Sequence, residues 1–166
     1  MNLKFDRMAK EYSKEVMDIF NYYVKNSFAA YPESELPYDF FGMFLEMTKN
    51  YPAYVIKNGD AEKVIGFCFI RAYNPFPAFR ETAEITYFLD IQEVGKGIGK
   101  IALELLERES SKIGIKSLLA SISSENNQSI SFHKKNGFLE CGRFHNVGKK
   151  FGKLFDIVWM EKSLPE

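Results

Sequence analysis

The sequence has few cysteines, no excess of charge of either sign and no long hydrophobic run. Its 22 lysines and arginines balance 22 aspartates and glutamates, so the net charge does not favour nucleic acid or an anionic membrane as a partner. No apolar run approaches the roughly 20 residues that a membrane-spanning helix needs. The first stretch, "MNLKFDRMAKEYSKEV", is charged from its start, which does not fit a secretory signal peptide.

The two cysteines, Cys68 and Cys141, are too few for the disulfide framework of a small secreted protein, and they lack a metal-ligand spacing. We therefore expect no bound metal and a reducing, cytoplasmic location. The length of 166 residues and the 46% of hydrophobic residues are typical of one domain with a single core, which we expect to span residues 1–166. Aromatic residues make up 16% of the chain, enough for a core and for a ligand cleft.

Hydrophobic periodicity predicts an α+β fold with the element order β-α-α-β-β-β-α-β-α-β-β. The clearest local signal is a pair of β-rich runs around residues 58–60, "NGD", which predicts a hairpin. Later, the strand "TAEITYFLD" is followed by a helix and a second buried strand, a crossover that usually makes its two strands parallel neighbours. We therefore expect a mixed central sheet with flanking helices. The predicted apolar face of the crossover helix consists of Ile98, Ile101, Ala102, Leu105 and Leu106.

Three glycines at alternate positions, Gly95, Gly97 and Gly99, lie between that strand and that helix. Unpaired N–H groups and the dipole of a helix N-terminus attract anions, and glycines allow a phosphate to approach closely. The loop therefore suits a pyrophosphate, although the spacing alone fits a tight turn equally well. A Walker loop is excluded because Ile101 stands where the Mg²⁺-binding hydroxyl is required. The dinucleotide pattern G-x-G-x-x-[GA] fits loosely, but four predicted strands precede it and residues 117–124 contain no acid.

The stretch "VGKGIGKIALELLE", the buried strand after it and "NNQSISFHKKNGF" together resemble the GNAT superfamily of N-acetyltransferases. The resemblance implies that main-chain amides of the pattern [QR]-x-x-G-x-[GA] bind the pyrophosphate of acetyl-CoA. Aligned through Gly97 and Gly99, the first position holds Val94, which departs from the pattern. A second register, Gln92-x-x-Gly95-x-Gly97, fits the letters but places the glycines farther from the helix, and we favour the first.

The family's second signature is matched by Asn126, His133 and the pair Gly137-Phe138. The stretches "NPFPAFRETAEITYFL" and "GRFHNVGKKFGKLFDIVWMEKSL" narrow the resemblance to the phosphinothricin and methionine sulfoximine acetyltransferase branch. That branch acetylates the α-amino group of small amino-acid analogues, and its members are usually homodimers. The positions that match the branch are Glu84, Lys150, Gly152 and Asp156.

Two residues are predicted to be catalytic, Glu84 and His133. Glutamate is depleted in strands, so Glu84 is either a solvent-facing or edge residue or, as the resemblance implies, a general base. An α-amino group loses its proton at pH 7 for only about 1 kcal/mol, which a carboxylate acting through water can supply. The resemblance places His133 opposite the thioester sulfur, where it protonates the departing thiolate or holds the cofactor. Without the resemblance, His133 is an ordinary helix histidine.

The resemblance also implies a set of acetyl-CoA contacts, in which strand backbone pairs with the pantetheine arm and loop amides bind the pyrophosphate. Asn126 can equally serve as a helix cap, and the strand side chains can equally belong to the core. The predicted contacts are Tyr87, Phe88, Leu89, Val94, Gly95, Lys96, Gly97, Ile98, Gly99, Lys100, Asn126 and Ser129.

Burying the carboxylate of an amino-acid substrate requires a cation. The predicted roof of the pocket, residues 73–81, contains one cation, Arg80, and the C-terminal loop contributes Lys150, the lysine that matches the branch. We expect both to bind the substrate, with no metal. Relatives that take methionine sulfoximine are richer in arginine near Asn74, and the last loop here carries Phe151 and Phe155. The expected substrate is therefore a small amine or amino acid with an apolar side chain, with weak activity on phosphinothricin.

Two alternative functions remain open. The same fold acetylates protein N-termini or lysines in other members, and a long open groove would favour that function over a closed aromatic pocket. A CoA-binding module that has lost turnover is the second alternative. The joint presence of Glu84, Asn126 and His133 counts against it.

Overall fold

The predicted hairpin and crossover form parts of one seven-stranded sheet in the structure, a computed structural model that describes residues 2–165. The strands are β1 (Leu3–Arg7), β2 (Ala53–Asn58), β3 (Lys63–Ala72), β4 (Thr82–Leu89), β5 (Ser117–Ser123), β6 (Leu139–Lys150) and β7 (Lys153–Ser163). Their order in the sheet is β1-β2-β3-β4-β5-β7-β6, and β4 and β5 are the parallel pair. This mixed sheet confirms the predicted fold class and element order. Met1 and Glu166, the ends of the predicted domain, lie outside the described residues.

Four helices cover the two faces of the sheet. They are α1 (Ser13–Asn26), α2 (Phe41–Met47), α3 (Ile98–Lys112) and α4 (Asn127–Lys135). The buried residues form two clusters: α1 and α2 pack on one face against Val55 and Phe67, and α3 packs on the other against Ile85 and Leu118. We call these the α1 face and the α3 face. No helix within residues 2–165 is long and apolar enough to cross a membrane.

Two local predictions were wrong in detail. The turn between β2 and β3 covers residues 59–62 rather than three residues, with Glu62 in the left-handed region at φ 52°. On α3, Ile101 is 46% exposed, whereas Leu103 is buried. The helix advances slightly more than one turn in four residues, so the buried stripe runs through Ala102 and Leu106 and leaves Ile101 at its border.

The sheet opens between β4 and β5. These strands pair at three positions only, Thr82–Glu84 of β4 with Ser117–Leu119 of β5. Beyond Glu84, β4 continues to Leu89 and β5 continues to Ser123 without pairing to each other. In contrast, β5 and β7 pair over seven positions. The two strands of the crossover are therefore parallel neighbours, as predicted, but they diverge after Glu84.

The β6–β7 hairpin is closed by a two-residue turn at Phe151 and Gly152. Both residues have positive φ, 50° and 73°, as a type I′ hairpin turn requires. Asp156 of β7 supports the irregular middle of β6, because its carboxylate accepts hydrogen bonds from the Asn146 N–H at 2.7 Å and from Arg143 Nε at 2.8 Å. Gly152 therefore forms part of the hairpin turn, and Asp156 connects β7 to the irregular part of β6.

Candidate active site

The glycine loop precedes α3 as predicted. Gly95 and Gly97 both have φ of 83°, and Gly97 is the N-cap residue of α3. A Cβ atom built on either glycine would meet no atom within 4 Å, so open space lies in front of the loop. The first N–H groups of a helix have no partner within the helix, and here they adjoin that space. The arrangement can receive an anionic group such as a pyrophosphate.

The helix begins directly after Gly97, which favours the register that places Val94 in the first position of the motif. The two lysines of the loop make ion pairs close in sequence: Lys96 with Glu93 at 3.0 Å and Lys100 with Glu104 at 3.8 Å. Both ammonium groups are largely exposed, so either can turn towards a phosphate. Main-chain donors therefore remain the fixed part of the loop.

Asn126 caps α4. Its Oδ1 accepts a hydrogen bond from the Ser129 N–H at 3.1 Å. This is the capping role that the sequence allowed, and it leaves the amide NH₂ of Asn126 without a partner among residues 2–165. The cap thus holds a free donor near the opening of the sheet, beside the start of α4.

The end of β4 presents one backbone edge to the opening. Over Ile85–Leu89 the strand pairs with β3 and has no strand on its other side in the described chain. The side chains alternate: Tyr87 packs on the α3 face and Phe88 on the α1 face. The carbonyl of Leu89 already accepts a hydrogen bond from the Tyr23 hydroxyl at 2.7 Å. The free edge suits an added extended chain, which is how pantetheine is expected to bind.

His133 lies inside the α3 face, 3% exposed. Its Nδ1 is 2.7 Å from the carbonyl oxygen of Ser129, which can only accept, so Nδ1 carries the proton. Nε2 must then accept the hydrogen bond that it shares with the Tyr87 hydroxyl, and the two rings stack with centroids 5.4 Å apart. Burial lowers the pKa of His133 to about 4 and raises the pKa of Tyr87 well above its usual value.

This geometry is unfavourable to the predicted acid role of His133. At neutral pH the imidazole is uncharged, and both of its nitrogens already have partners within the protein. It has no spare proton for a departing thiolate. The contact instead fixes the ring of Tyr87 on β4.

Glu84 lies on the α1 face at the point where β4 and β5 separate. It is directly opposite Arg71 of β3, and Arg71 Nη2 donates to Glu84 Oε2 at 2.7 Å. The side chain of Glu84 is 14% exposed and that of Arg71 is 40% exposed. Glu84 is therefore not a solvent-facing or edge residue, but a mostly buried carboxylate with one cationic partner and a narrow opening to solvent.

A cleft of about 400 Å³ lies on the same face, over β5, β7 and β6. Tyr31, from the loop after α1, stacks on Phe155 at one wall, with ring centroids 5.9 Å apart. Desolvation raises the pKa of Tyr31; a hydrogen bond with Ser121 opposes this shift, and the negative charge of Glu84 adds to it. The residues that line the cleft are Tyr31, Ser121, Phe144, Val147, Gly148, Lys149, Phe155, Ile157 and Trp159.

The roof loop folds towards this cleft. The ring of Tyr73 packs edge-on against Phe79 of the same loop and against Trp159 of β7, with centroids 5.8 and 6.3 Å apart. Arg80, however, is exposed and bonds weakly to its own loop, with Nη1 3.5 Å from the carbonyl oxygen of Pro77. The predicted contact of Arg80 with substrate is not supported by any arrangement of the described residues.

Lys150 was predicted to bind the substrate, and the structure contradicts this. The residue is 1% exposed, and Nζ donates to the carbonyl oxygens of Val24, Ser27 and Ala30 at 2.6–2.7 Å. Burial lowers the pKa of Lys150. However, hydrogen bonds to three carbonyl oxygens require three N–H donors, and only the charged ammonium group has three. Lys150 ties the loop after α1 to the β6–β7 hairpin. It therefore holds Tyr31 over the cleft rather than meeting a ligand itself.

Sequence reasoning missed Arg71, Tyr31 and Trp159. One signal was available for Arg71, since an arginine and a glutamate each interrupt an apolar strand in neighbouring strands of the predicted meander. The register that places them opposite each other depends on the loop between the strands, residues 73–81. No local pattern points to Tyr31, which reaches the cleft through the loop after α1.

Comparison with known proteins gives one family. The sequence profile of the acetyltransferase (GNAT) domain matches residues 8–159. The L-methionine sulfoximine/L-methionine sulfone acetyltransferase of Pseudomonas aeruginosa strain PAO1 is 32% identical over 116 residues, which are 70% of this chain and 67% of that protein. The L-amino acid N-acyltransferase MnaT of Escherichia coli K12 is 30% identical over 116 residues, covering 70% of this chain and 66% of the other.

Solved structures give the same result. A GNAT superfamily phosphinothricin acetyltransferase from Sinorhizobium meliloti in complex with acetyl-CoA superposes with a TM-score of 0.92, over 100% of this chain and 90% of that one, at 27% identity. The yncA protein of Salmonella typhimurium, solved with its cofactor acetyl-CoA, gives a TM-score of 0.89 over 99% and 95% of the two chains, at 26% identity.

Proposed function

We propose a substrate and a set of residue roles for this chain, which belongs to the GNAT acetyltransferase family and is an acetyl-CoA-dependent N-acetyltransferase. The family match confirms the resemblance, the enzyme class and the co-substrate that were predicted from the sequence. The roles of individual residues and the identity of the amine are the proposal. They rest on the geometry around Glu84.

The proposed reaction is direct attack of a neutral amine on the acetyl thioester. The amine nitrogen forms the new C–N bond, the C–S bond breaks, and CoA leaves as the thiolate. The amine proton passes to Glu84 through water, and the thiolate takes a proton from solvent, since a thiol has a pKa near 8.5. The carrying observation is the position of Glu84, a mostly buried carboxylate at the point where β4 and β5 separate.

The glycine loop and the free edge of β4 are proposed to hold the co-substrate. Amides at the start of α3 bind the pyrophosphate, with Gly95 and Gly97 leaving room for it, and the backbone of Tyr87–Leu89 pairs with the pantetheine arm. The open space in front of both glycines supports this fit. Asn126 contributes its free NH₂ to the same arm.

The proposed acceptor is a small amino acid or amine with an apolar side chain. Four aromatic residues line the cleft on the same face of the sheet as Glu84, and its volume of about 400 Å³ is in the range typical of small-molecule sites. The names of the relatives, an L-amino acid N-acyltransferase and methionine sulfoximine acetyltransferases, support the same class. Phosphinothricin, which carries a second anion, is expected to be a weak substrate.

A thiol-release assay with a panel of amines tests this proposal. The panel contains L-methionine, L-phenylalanine, phosphinothricin, an apolar monoamine and a lysine-containing peptide, each with acetyl-CoA. We expect turnover with the apolar amino acids above the others. Peptide lysine as the best substrate would support protein acetylation instead, and cofactor binding without thiol release from any amine would support a non-catalytic module.

A homodimer is proposed for the assembly. The edge strand β6 has an exposed row that includes Leu139, Phe144 and Val147, each more than half exposed. An exposed edge strand with apolar residues can pair with another chain, and closed two-fold dimers are the commonest oligomers. Light scattering at micromolar concentration should give twice the chain mass of 19.2 kDa, and a monomer would contradict the proposal. A cytoplasmic location remains a prediction from the two free thiols.

A further inference from the structure

We propose that Arg71 binds the carboxylate of an α-amino-acid substrate beside the base Glu84. The inference rests on the proposed acceptor class and adds the residue that selects it. It replaces both cations named from the sequence, since Arg80 is exposed and bonds only weakly to its own loop, and Lys150 is buried among backbone carbonyls.

The position of Arg71 fits this role. Arg71 and Glu84 are direct cross-strand partners on the α1 face, joined by one hydrogen bond of 2.7 Å. A guanidinium has five N–H donors, and no other partner of Arg71 is found within residues 2–165. Since 40% of the Arg71 side chain is exposed, the remaining donors are open to a ligand at the mouth of the site. One arginine can bind two carboxylates through different edges of its fork.

The order of strands gives the substrate three contacts in a row. Arg71 lies on β3, Glu84 on β4, and the aromatic cleft covers β5, β7 and β6. In an α-amino acid the amine and the carboxylate are attached to the same carbon, so a base and a cation that recognise both must be neighbours. With the amine at Glu84, the carboxylate points towards β3 and the side chain towards the cleft.

Lys149 is the cation among the residues that line the cleft, and its position suits an anion on the substrate side chain rather than the α-carboxylate. It lines the cleft from β6, which is four strands away from β3 and Arg71 in the sheet order. It can meet an anion at the end of a side chain but not the α-carboxylate at the same time as Glu84 meets the amine. This assigns the α-carboxylate to Arg71.

The test compares each amino acid with its primary amide, which keeps the side chain and the amine but lacks the carboxylate. KM and kcat are measured for L-methionine, L-methioninamide, L-phenylalanine and L-phenylalaninamide with the wild-type protein and with Arg71→Met. Because the two enzymes are compared on the same substrate at the same pH, differences in amine pKa cancel. We expect a rise in KM of roughly 10- to 100-fold for the amino acids, as for loss of a hydrogen bond to a charged group, and little change for the amides.

Two further variants control for folding and for loss of an ion pair. Arg71→Lys keeps the charge and should restore part of the amino-acid KM, and it serves in place of Arg71→Met if that variant unfolds. Arg143→Met breaks a comparable ion pair, in which Arg143 lies 2.8 Å from Asp156. The side chain of Arg143 is 40% exposed, as is that of Arg71. We expect Arg143→Met to affect amino acids and amides by the same factor.

An equal change of amino-acid and amide kinetics in Arg71→Met would overturn the inference and leave Arg71 as a structural partner of Glu84. That outcome leaves the proposed N-acetylation of small apolar amines intact. Absence of turnover by the wild-type protein with all four compounds would instead contradict the proposed function, and the inference with it.

Discussion

Two polar pairs on opposite faces of β4 differ in what they can do. On the α3 face, Tyr87 and His133 share a hydrogen bond, and His133 is 3% exposed. On the α1 face, Glu84 bonds to Arg71, and the arginine is 40% exposed. Both pairs involve a residue that sequence reasoning marked as catalytic, but only the second has unused hydrogen-bonding capacity at an opening.

The two pairs differ in function because different partners offset the free energy that each buried group loses when it leaves water. A buried imidazole is cheapest when neutral with both nitrogens partnered, and His133 achieves this through Ser129 and Tyr87. A buried carboxylate stays charged at lower cost beside a cation, and Arg71 supplies one while remaining partly in water. A satisfied pair stabilises the fold, whereas a partly open charged pair is available for proton transfer and for binding.

The largest expected effect is on the open pair. Glu84→Gln keeps the shape of the side chain and removes its basicity, so kcat should fall by roughly 10²–10⁴ at pH 7. Activity should recover in part at high pH, where the amine is neutral without help. A suitable control is Glu81→Gln, which changes an exposed acid directly before β4 that pairs with Lys116 at 3.5 Å. If Glu84→Gln leaves kcat at pH 7 unchanged, Glu84 has a structural role instead.

A second prediction concerns the co-substrate loop next to the pair. Gly97→Val places a β-branched residue at φ 83° and a side chain in the open space in front of the loop, so the KM for acetyl-CoA should rise roughly 10- to 100-fold. Gly114→Val is the matched control, since Gly114 has φ of 84° and open space at the other end of α3. Both variants should lose stability, and the KM change should be specific to Gly97. If acetyl-CoA binds a folded Gly97→Val protein normally, pyrophosphate binding by this loop is ruled out.

The smallest effect on catalysis is expected on the closed pair. His133→Phe should change kcat at pH 7 by less than about tenfold, below the range typical of a lost acid or base. It should lower the free energy of unfolding by about 1–3 kcal/mol, because the Tyr87 hydroxyl loses its acceptor. A fall in kcat as large as that of Glu84→Gln would show that His133 is an acid after all.

The closed pair also predicts a pH dependence of stability. The pKa of His133 falls from 6.5 to about 4 on folding, so below pH 6.5 the unfolded chain takes up a proton that the folded protein does not. The stability contributed by neutral His133 is complete above pH 6.5 and is lost as the pH falls towards 4, by up to about 3 kcal/mol. Denaturant unfolding of the wild-type protein and His133→Phe at pH 7 and pH 4.5 measures this contribution. The loss of stability between the two pH values should be smaller in the variant, in which only the other titrating groups contribute.

Sequence alone was sufficient for the elements of the fold. Alternation and helical periodicity predicted the α-helices and strands of the described residues in the correct order, because those patterns depend on neighbours close in the chain. The glycine loop was also predicted locally, because three alternate glycines precede a helix in residues 94–99; their positive φ at Gly95 and Gly97 was seen only in the structure. The errors, such as the exposed Ile101, are at the borders of those patterns.

What only the tertiary structure decided is the environment of each charged or polar side chain. In the sequence alone, Arg71, Arg80 and Lys150 are equivalent cations. In the structure, the sheet register places Arg71 opposite Glu84, Arg80 lies in an exposed loop, and Lys150 is buried among backbone carbonyls. His133 and Glu84 likewise differ through partners that are 46 and 13 residues away in the chain. The cost of removing a charge from water and the partners that offset it depend on contacts distant in sequence, which no local pattern contains.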